Sequence, residues 1–219
     1  MQEPRLTRFH WPDAPRGIVL LLHGGQKNSS EPVGSRNASW LRMAFIARAF
    51  RSMARRNDLA VVLLRYRKRG WNNQNAPDPV AGARWALDVL RDEHRGAPIV
   101  LVGHSMGGRT ACRVADDEAV AGVCALAPWL PEGEPVDALT GRSLHVLHGT
   151  RDRWTSARWS RDFVERCRPI ATSAAWRSMP GVGHFMLRRV GEWNQFVTDS
   201  GSLILGLTTS TEAANKGTE

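Results

Sequence analysis

Residues Pro98 to Gly108, Pro-Ile-Val-Leu-Val-Gly-His-Ser-Met-Gly-Gly, constrain this chain more than any other stretch. Ile99, Val100, Leu101 and Val102 form a short continuous apolar run of the kind a strand buried on both faces shows. Gly103-His104-Ser105-Met106-Gly107 follows at once, and Arg109 to Ala115 then carries apolar residues at helical spacing. The order is strand, sharp turn, helix. A Gly-x-Ser-x-Gly turn in that setting holds its serine in a strained backbone conformation that only small neighbours on either side permit. Ser105 is therefore the candidate nucleophile.

The same alternation extends in both directions. Residues 5–11 suggest one short edge strand, and Ile18 to His23 a buried one ending at His23-Gly24-Gly25-Gln26. Polar residues Lys27 to Ser39 read as a loop. A helix is predicted from near Ser39 to Arg56, with Trp40, Leu41, Ala44, Phe45, Ala47, Ala49 and Phe50 mostly sharing one face. Leu59 to Leu64 is the next strand, and a basic, aromatic loop from Arg65 to Asn72 follows it. Asp78-Pro79 opens a helix running to about Arg95. Beyond the serine turn come strands at Val120 to Leu126, Ser143 to Leu147 and Ala174 to Met179, with helices at Thr155 to Cys167 and from Leu187 to about Val197. Strands alternating with helices predict an α/β fold, a largely parallel sheet covered on both faces, with ligand chemistry at the carboxyl ends of the strands. Residues 1–207 make one domain in this reading, and 208–219, almost without apolar content, a disordered tail.

A serine hydroxyl is a weak nucleophile. It needs a base within hydrogen-bond reach, and the base needs a group that orients it and stabilises its cation. Asp152, in His148-Gly-Thr-Arg-Asp after the strand ending at Leu147, and His184, in Gly181-Val-Gly-His after the last strand, fall at the same sheet rim as Ser105. The oxyanion of an acyl-transfer intermediate needs two donors. The backbone N–H of Met106 is one, and Gly25, at the end of the neighbouring strand, is the natural other, with Gln26 as the fallback. His23 reads as a structural tether for that loop. Arg67, Arg69 and Trp71, together with Trp129 and Trp154, also lie at strand ends. They are expected to shape the pocket: the aromatics as walls, the arginines as contacts for an anionic group.

Composition excludes several other functions. The net charge of +9 comes mostly from arginine dispersed along 219 residues, without a nucleic-acid motif. The apolar run Ile18 to Leu22 is far shorter than the roughly 18 residues a membrane span needs. Neither a targeting segment nor a membrane partner is expected, and the chain reads as soluble and cytoplasmic. Three cysteines, Cys112, Cys124 and Cys167, imply neither a disulfide framework nor a metal site, and no cofactor is called for.

His23-Gly24-Gly25, Gly103-His104-Ser105-Met106-Gly107-Gly108, His148-Gly149-Thr150-Arg151-Asp152 and Gly183-His184 together resemble the α/β-hydrolase superfamily, over about Gly17 to Val197. Within it the chain is similar to small, capless carboxylesterase or dienelactone-hydrolase-like members. The resemblance implies a three-layer α/β/α sandwich, a Ser105, Asp152, His184 triad in the family's chain order, and Gly25 and Met106 as oxyanion donors. Three departures stand out. The family's two leading strands shrink to at most one, which predicts fewer than eight strands. The segment after Leu126 is too short for a cap domain. The nucleophile is serine where dienelactone hydrolases use cysteine. The activity this implies is cleavage of a small-molecule carboxylic ester, thioester or lactone through an acyl-enzyme. A cofactor-free perhydrolase or acyltransferase, and a non-catalytic binding protein on the same fold, are the alternatives.

Overall fold

The continuous apolar runs form the inner strands of a seven-stranded sheet in the computed structural model, which describes residues 3–34 and 36–207. The segment from Thr208 onward, where disorder is expected, lies outside the described residues. The strands are β1 (Arg5–His10), β2 (Gly17–Leu22), β3 (Leu59–Arg65), β4 (Ile99–His104), β5 (Val120–Leu126), β6 (Ser143–Gly149) and β7 (Ser173–Met179), in the order β1-β3-β2-β4-β5-β6-β7. Only β1 runs antiparallel, along β3. The other neighbours are parallel, so Leu20 faces Val62 on one side and Leu101 on the other. Every residue of β2 and β4 is buried, as strands covered on both faces require.

Strand periodicity divides the interior. Ile18, Leu20 and Leu22 point into a cluster with α2 (Asp78–Glu93), α3 (Met106–Arg113) and α4 (Ala157–Cys167). Val19 and Leu21 point the other way, into a cluster with α1 (Ala38–Arg56) and α5 (Val190–Ile204). The result is the expected three-layer sandwich with fewer than eight strands. The segment joining β5 to β6 carries only a single 3-10 turn, Asp137–Leu139, and no inserted domain.

Two helices differ from the sequence reading. On α1 the buried stripe is Met43, Ala44, Ile46, Ala47, Phe50, Met53 and Ala54, while Phe45 is 68% exposed and Leu41 39%. Leu41 and Phe45 are four apart and form their own flank, beside a groove with Leu187, Val190 and Trp193. The last helix begins three residues later and ends seven later than expected (Val190 against Leu187, Ile204 against Val197). Left-handed Met186 and Arg189 keep the chain irregular before it. At its far end the packing residues are small: a Cβ on Gly201 would lie 3.4 Å from the Phe50 ring. That close contact carries little hydropathy signal.

Candidate active site

β2 pairs with β3 on one side and β4 on the other, so the chain's crossovers leave in opposite directions at β2. A crevice opens at such a point beyond the carboxyl ends of the strands. Ser105 sits there with φ 55° and ψ −118°, a left-handed conformation that costs an ordinary residue of order 1–3 kcal/mol. The glycines permit it sterically: a Cβ on Gly103 would stand 2.3 Å from Gly107 O, and one on Gly107 2.1 Å from Leu22 O. Two backbone bonds of 3.0 Å, Ser105 N–H to Leu126 O and Trp129 N–H to Ser105 O, fix the turn to the β5 end.

The loops after β6 and β7 deliver the other two predicted side chains. His184 Nε2 lies 3.0 Å from Ser105 Oγ, and His184 Nδ1 lies 2.8 Å from Asp152 Oδ2. With Nδ1 donating to the carboxylate, Nε2 is the acceptor that faces the hydroxyl. Asp152 is fully buried and saturated with donors. Oδ1 accepts from the N–H groups of Trp154 (2.8 Å) and Thr155 (2.9 Å). Oδ2 accepts from Thr155 Oγ1 (2.9 Å) and lies 3.2 Å from His148 Nε2. Burial alone would raise this carboxyl, but hydrogen bonds from His148, His184 and Thr155 outweigh it and hold Asp152 well below the usual carboxylate range.

Two further histidines hold the loops. His23 donates from Nδ1 to Gly24 O (2.6 Å) and accepts the Tyr66 N–H at Nε2 (3.3 Å), as a structural tether would. Burial lowers it to about 4, so it stays neutral. His104 Nε2 donates to the His184 carbonyl at 3.0 Å, and burial, with the neighbouring His184, lowers it to about 3. The thiols of Cys112, Cys124 and Cys167 are free and buried. Among the described residues no group of three or more His, Cys, Asp or Glu side chains is arranged to hold a metal ion.

A cavity of about 620 Å³ opens over Ser105. Gly25, Gln26, Met106, Arg69, Trp129 and Trp154 line it, together with Arg42 and Phe185. Gly25 sits where no side chain fits, since a Cβ there would come within 2.3 Å of Arg69 O and 2.4 Å of Met106 Cε. Its N–H takes no acceptor among the described residues, and Met106 is the first residue of α3, where helix geometry leaves the N–H without an intrahelical partner. The Gln26 N–H is already engaged by Arg69 O at 2.8 Å. Trp154, 73% exposed, stacks over His184 at 6.4 Å.

Two predicted pocket residues lie elsewhere. Trp71 is fully buried in the core, edge-on to Trp129 at 5.9 Å, with the Arg109 guanidinium 4.0 Å from its ring centre. It supports the wall from behind because its loop is clamped by Gln26 and Lys27 backbone bonds. Arg67 is not in the lining and pairs with Asp78 at 2.7 Å. Sequence reasoning also passed over His148, Thr155 and Arg42. His148 follows an apolar strand directly and stands four residues before Asp152, which was a usable signal; Arg42 carried none.

The profile of the alpha/beta hydrolase family matches residues 19–214. No curated protein sequence matches the chain. Among solved structures, Est1E from Butyrivibrio proteoclasticus with ferulic acid bound is 12% identical, with a TM-score of 0.70 over 93% of this chain and 96% of that one. An alpha/beta serine hydrolase homologue from Coxiella burnetii is 17% identical, with a TM-score of 0.66 over 91% and 94%. A serine hydrolase without a lid from Xanthomonas campestris is 14% identical, with a TM-score of 0.65 over 92% and 94%. At these identities the likeness is one of fold.

Proposed function

Because the chain belongs to the alpha/beta hydrolase family, we propose that it is a serine hydrolase cleaving a carboxylic ester, thioester or lactone through an acyl-enzyme on Ser105. One observation carries this reading: Ser105 Oγ, the His184 ring and the buried Asp152 carboxylate stand in one hydrogen-bonded line at the mouth of an open cavity.

In this mechanism His184 Nε2 takes the Ser105 proton as Oγ bonds to the substrate carbonyl carbon. The carbonyl π electrons move onto oxygen, and the Gly25 and Met106 N–H groups receive that oxyanion. Collapse of the intermediate breaks the bond to the leaving oxygen or sulfur, which takes the proton from His184. Water then enters and loses a proton to His184 as it attacks the acyl carbon, and the acid departs as Ser105 regains its hydrogen. Asp152 stays ionised throughout and stabilises the transient imidazolium. With no domain inserted over the site, water reaches the acyl-enzyme directly.

A fluorophosphonate probe and a chain-length series of p-nitrophenyl esters test the proposal. Labelling at Ser105 is expected, with both labelling and turnover lost in Ser105→Ala by at least about 10³-fold. Folded protein that neither labels nor hydrolyses any ester in the series would overturn it.

A further inference from the structure

The cavity over Ser105 is strongly one-sided in charge. Its lining contains three cations, Lys27, Arg42 and Arg69, and neither an aspartate nor a glutamate, since Asp152 lies beneath His184 rather than on the surface. Of the arginines near the site, Arg67 is held by Asp78 and Arg69 by Glu31. Arg42 differs from both: among the described residues no carboxylate reaches it, and its guanidinium lies over the Phe185 ring, 5.3 Å from the centroid. Phe185 in turn stands edge-on to His184 with centroids 5.4 Å apart, so this cation is one ring away from the proposed base. Its charge is also felt at buried His104.

A guanidinium partly withdrawn from water and left without an anion is unfavourable unless something compensates it. Burial already lowers the pKa of Arg42, so the cost is present within the protein's own surroundings. Arg42 also borders the apolar groove of Phe45 and Leu187, where an arginine's methylenes can pack. That groove gives no reason for a guanidinium placed over Phe185, which lines the cavity at Ser105 and not the groove. A carboxylate or phosphate oxygen pair would, because it matches the guanidinium fork.

Resting on the hydrolase reading above, we propose that Arg42 selects esters bearing a second, anionic group, a carboxylate or phosphate, which its guanidinium binds while the scissile carbonyl sits at Ser105. The requirement is for anionic substrates over neutral ones of the same shape.

The test compares kcat/KM within each protein. Mono-4-nitrophenyl adipate against its methyl ester places the anion on the acyl side, and 4-acetoxybenzoate against its methyl ester places it on the leaving side. In the parent protein one of these pairs should show a preference for the anion of roughly tenfold to a hundredfold, weakening with salt. Arg42→Gln should abolish that preference through KM, and Arg42→Lys should restore part of it. Using a ratio separates the effect from any general loss of fold or turnover. No anionic preference on either side, or one that survives Arg42→Gln, would overturn the inference while Ser105-dependent hydrolysis of the neutral esters stands. If neutral and anionic esters alike are untouched, the hydrolase reading itself fails.

Discussion

Two buried carboxylates, Asp152 and Glu134, stand behind the same cavity and are compensated in opposite ways. Asp152 has no lysine or arginine partner: two backbone N–H groups, the Thr155 hydroxyl and two histidine rings surround its carboxylate, so no permanent cation cancels its charge. Glu134, 2% exposed, is paired outright: Arg109 Nη2 reaches Oε2 at 2.7 Å and Arg113 Nε reaches Oε1 at 3.1 Å. Arg109 itself packs against both the Trp71 and Trp129 rings, at 4.0 and 4.6 Å. The difference is one of timing. A carboxylate without a permanent cation is ready for the one that the proposed mechanism forms on His184 during reaction. A permanently paired one has nothing further to offer chemistry and holds Trp129 in place.

Breaking the first cluster should therefore cost activity, and by the most. Asp152→Asn keeps an acceptor of the same shape but removes the charge and offers His184 the wrong partner, favouring the tautomer with Nε2 protonated. Steady-state kinetics on a p-nitrophenyl ester should show kcat falling by about 10³- to 10⁴-fold. The far-UV circular dichroism should stay that of the parent. A fall of under tenfold would mean that the two carboxylates do not differ in the way described.

Breaking the second cluster should cost stability. Glu134→Ala leaves the Arg109 guanidinium buried with only Gln74 (3.3 Å) and two aromatic faces around it. Urea unfolding should lose about 3–5 kcal/mol, the usual penalty for uncovering one half of a buried pair. Turnover of the remaining folded protein should change far less than in Asp152→Asn. Glu134→Ala acting mainly on kcat would erase the distinction between the clusters.

The first cluster was largely legible in the sequence and the second was not. Ser105, Asp152 and His184 each follow a segment that reads as a strand, and parallel strands deliver their carboxyl ends to one rim. Position along the chain therefore carried the geometry. Arg109 and Glu134 have no such rule. An arginine on a helix reads as a solvated face, and its burial here depends on a glutamate 25 positions away in an irregular segment. Trp71 was misjudged for the same reason: its strand-end position was visible, but the backbone clamp that turns its ring inward was not. Arg67 and Arg69 were expected as contacts for an anionic group, but their partners Asp78 and Glu31 are set by loop conformation alone.

The smallest expected effect sharpens the comparison from the proton side. His104 and His23 pack around the loops of the candidate site as neutral rings, at about 3 and about 4 against an ordinary 6.5. Below pH 6.5 the unfolded chain takes up protons that the folded one refuses, so the stability these rings allow is complete above pH 6.5. It is lost as pH falls toward their folded values, by on the order of 1 kcal/mol per pH unit for each ring. Asp152, held below the usual carboxylate range, adds its own loss only in more acidic solution, as the unfolded aspartate becomes protonated. Urea unfolding at pH 7, 6 and 5 should therefore show a steady decline. In His104→Gln, whose amide can still donate to the His184 carbonyl but cannot titrate in this range, the slope should fall by the His104 share, leaving that of His23 and of His145, which burial also lowers. Stability that stays level from pH 7 to 5 would mean that these rings accept protons in the folded state, and that the histidine side of the cavity is wetter than its hydrogen bonds describe.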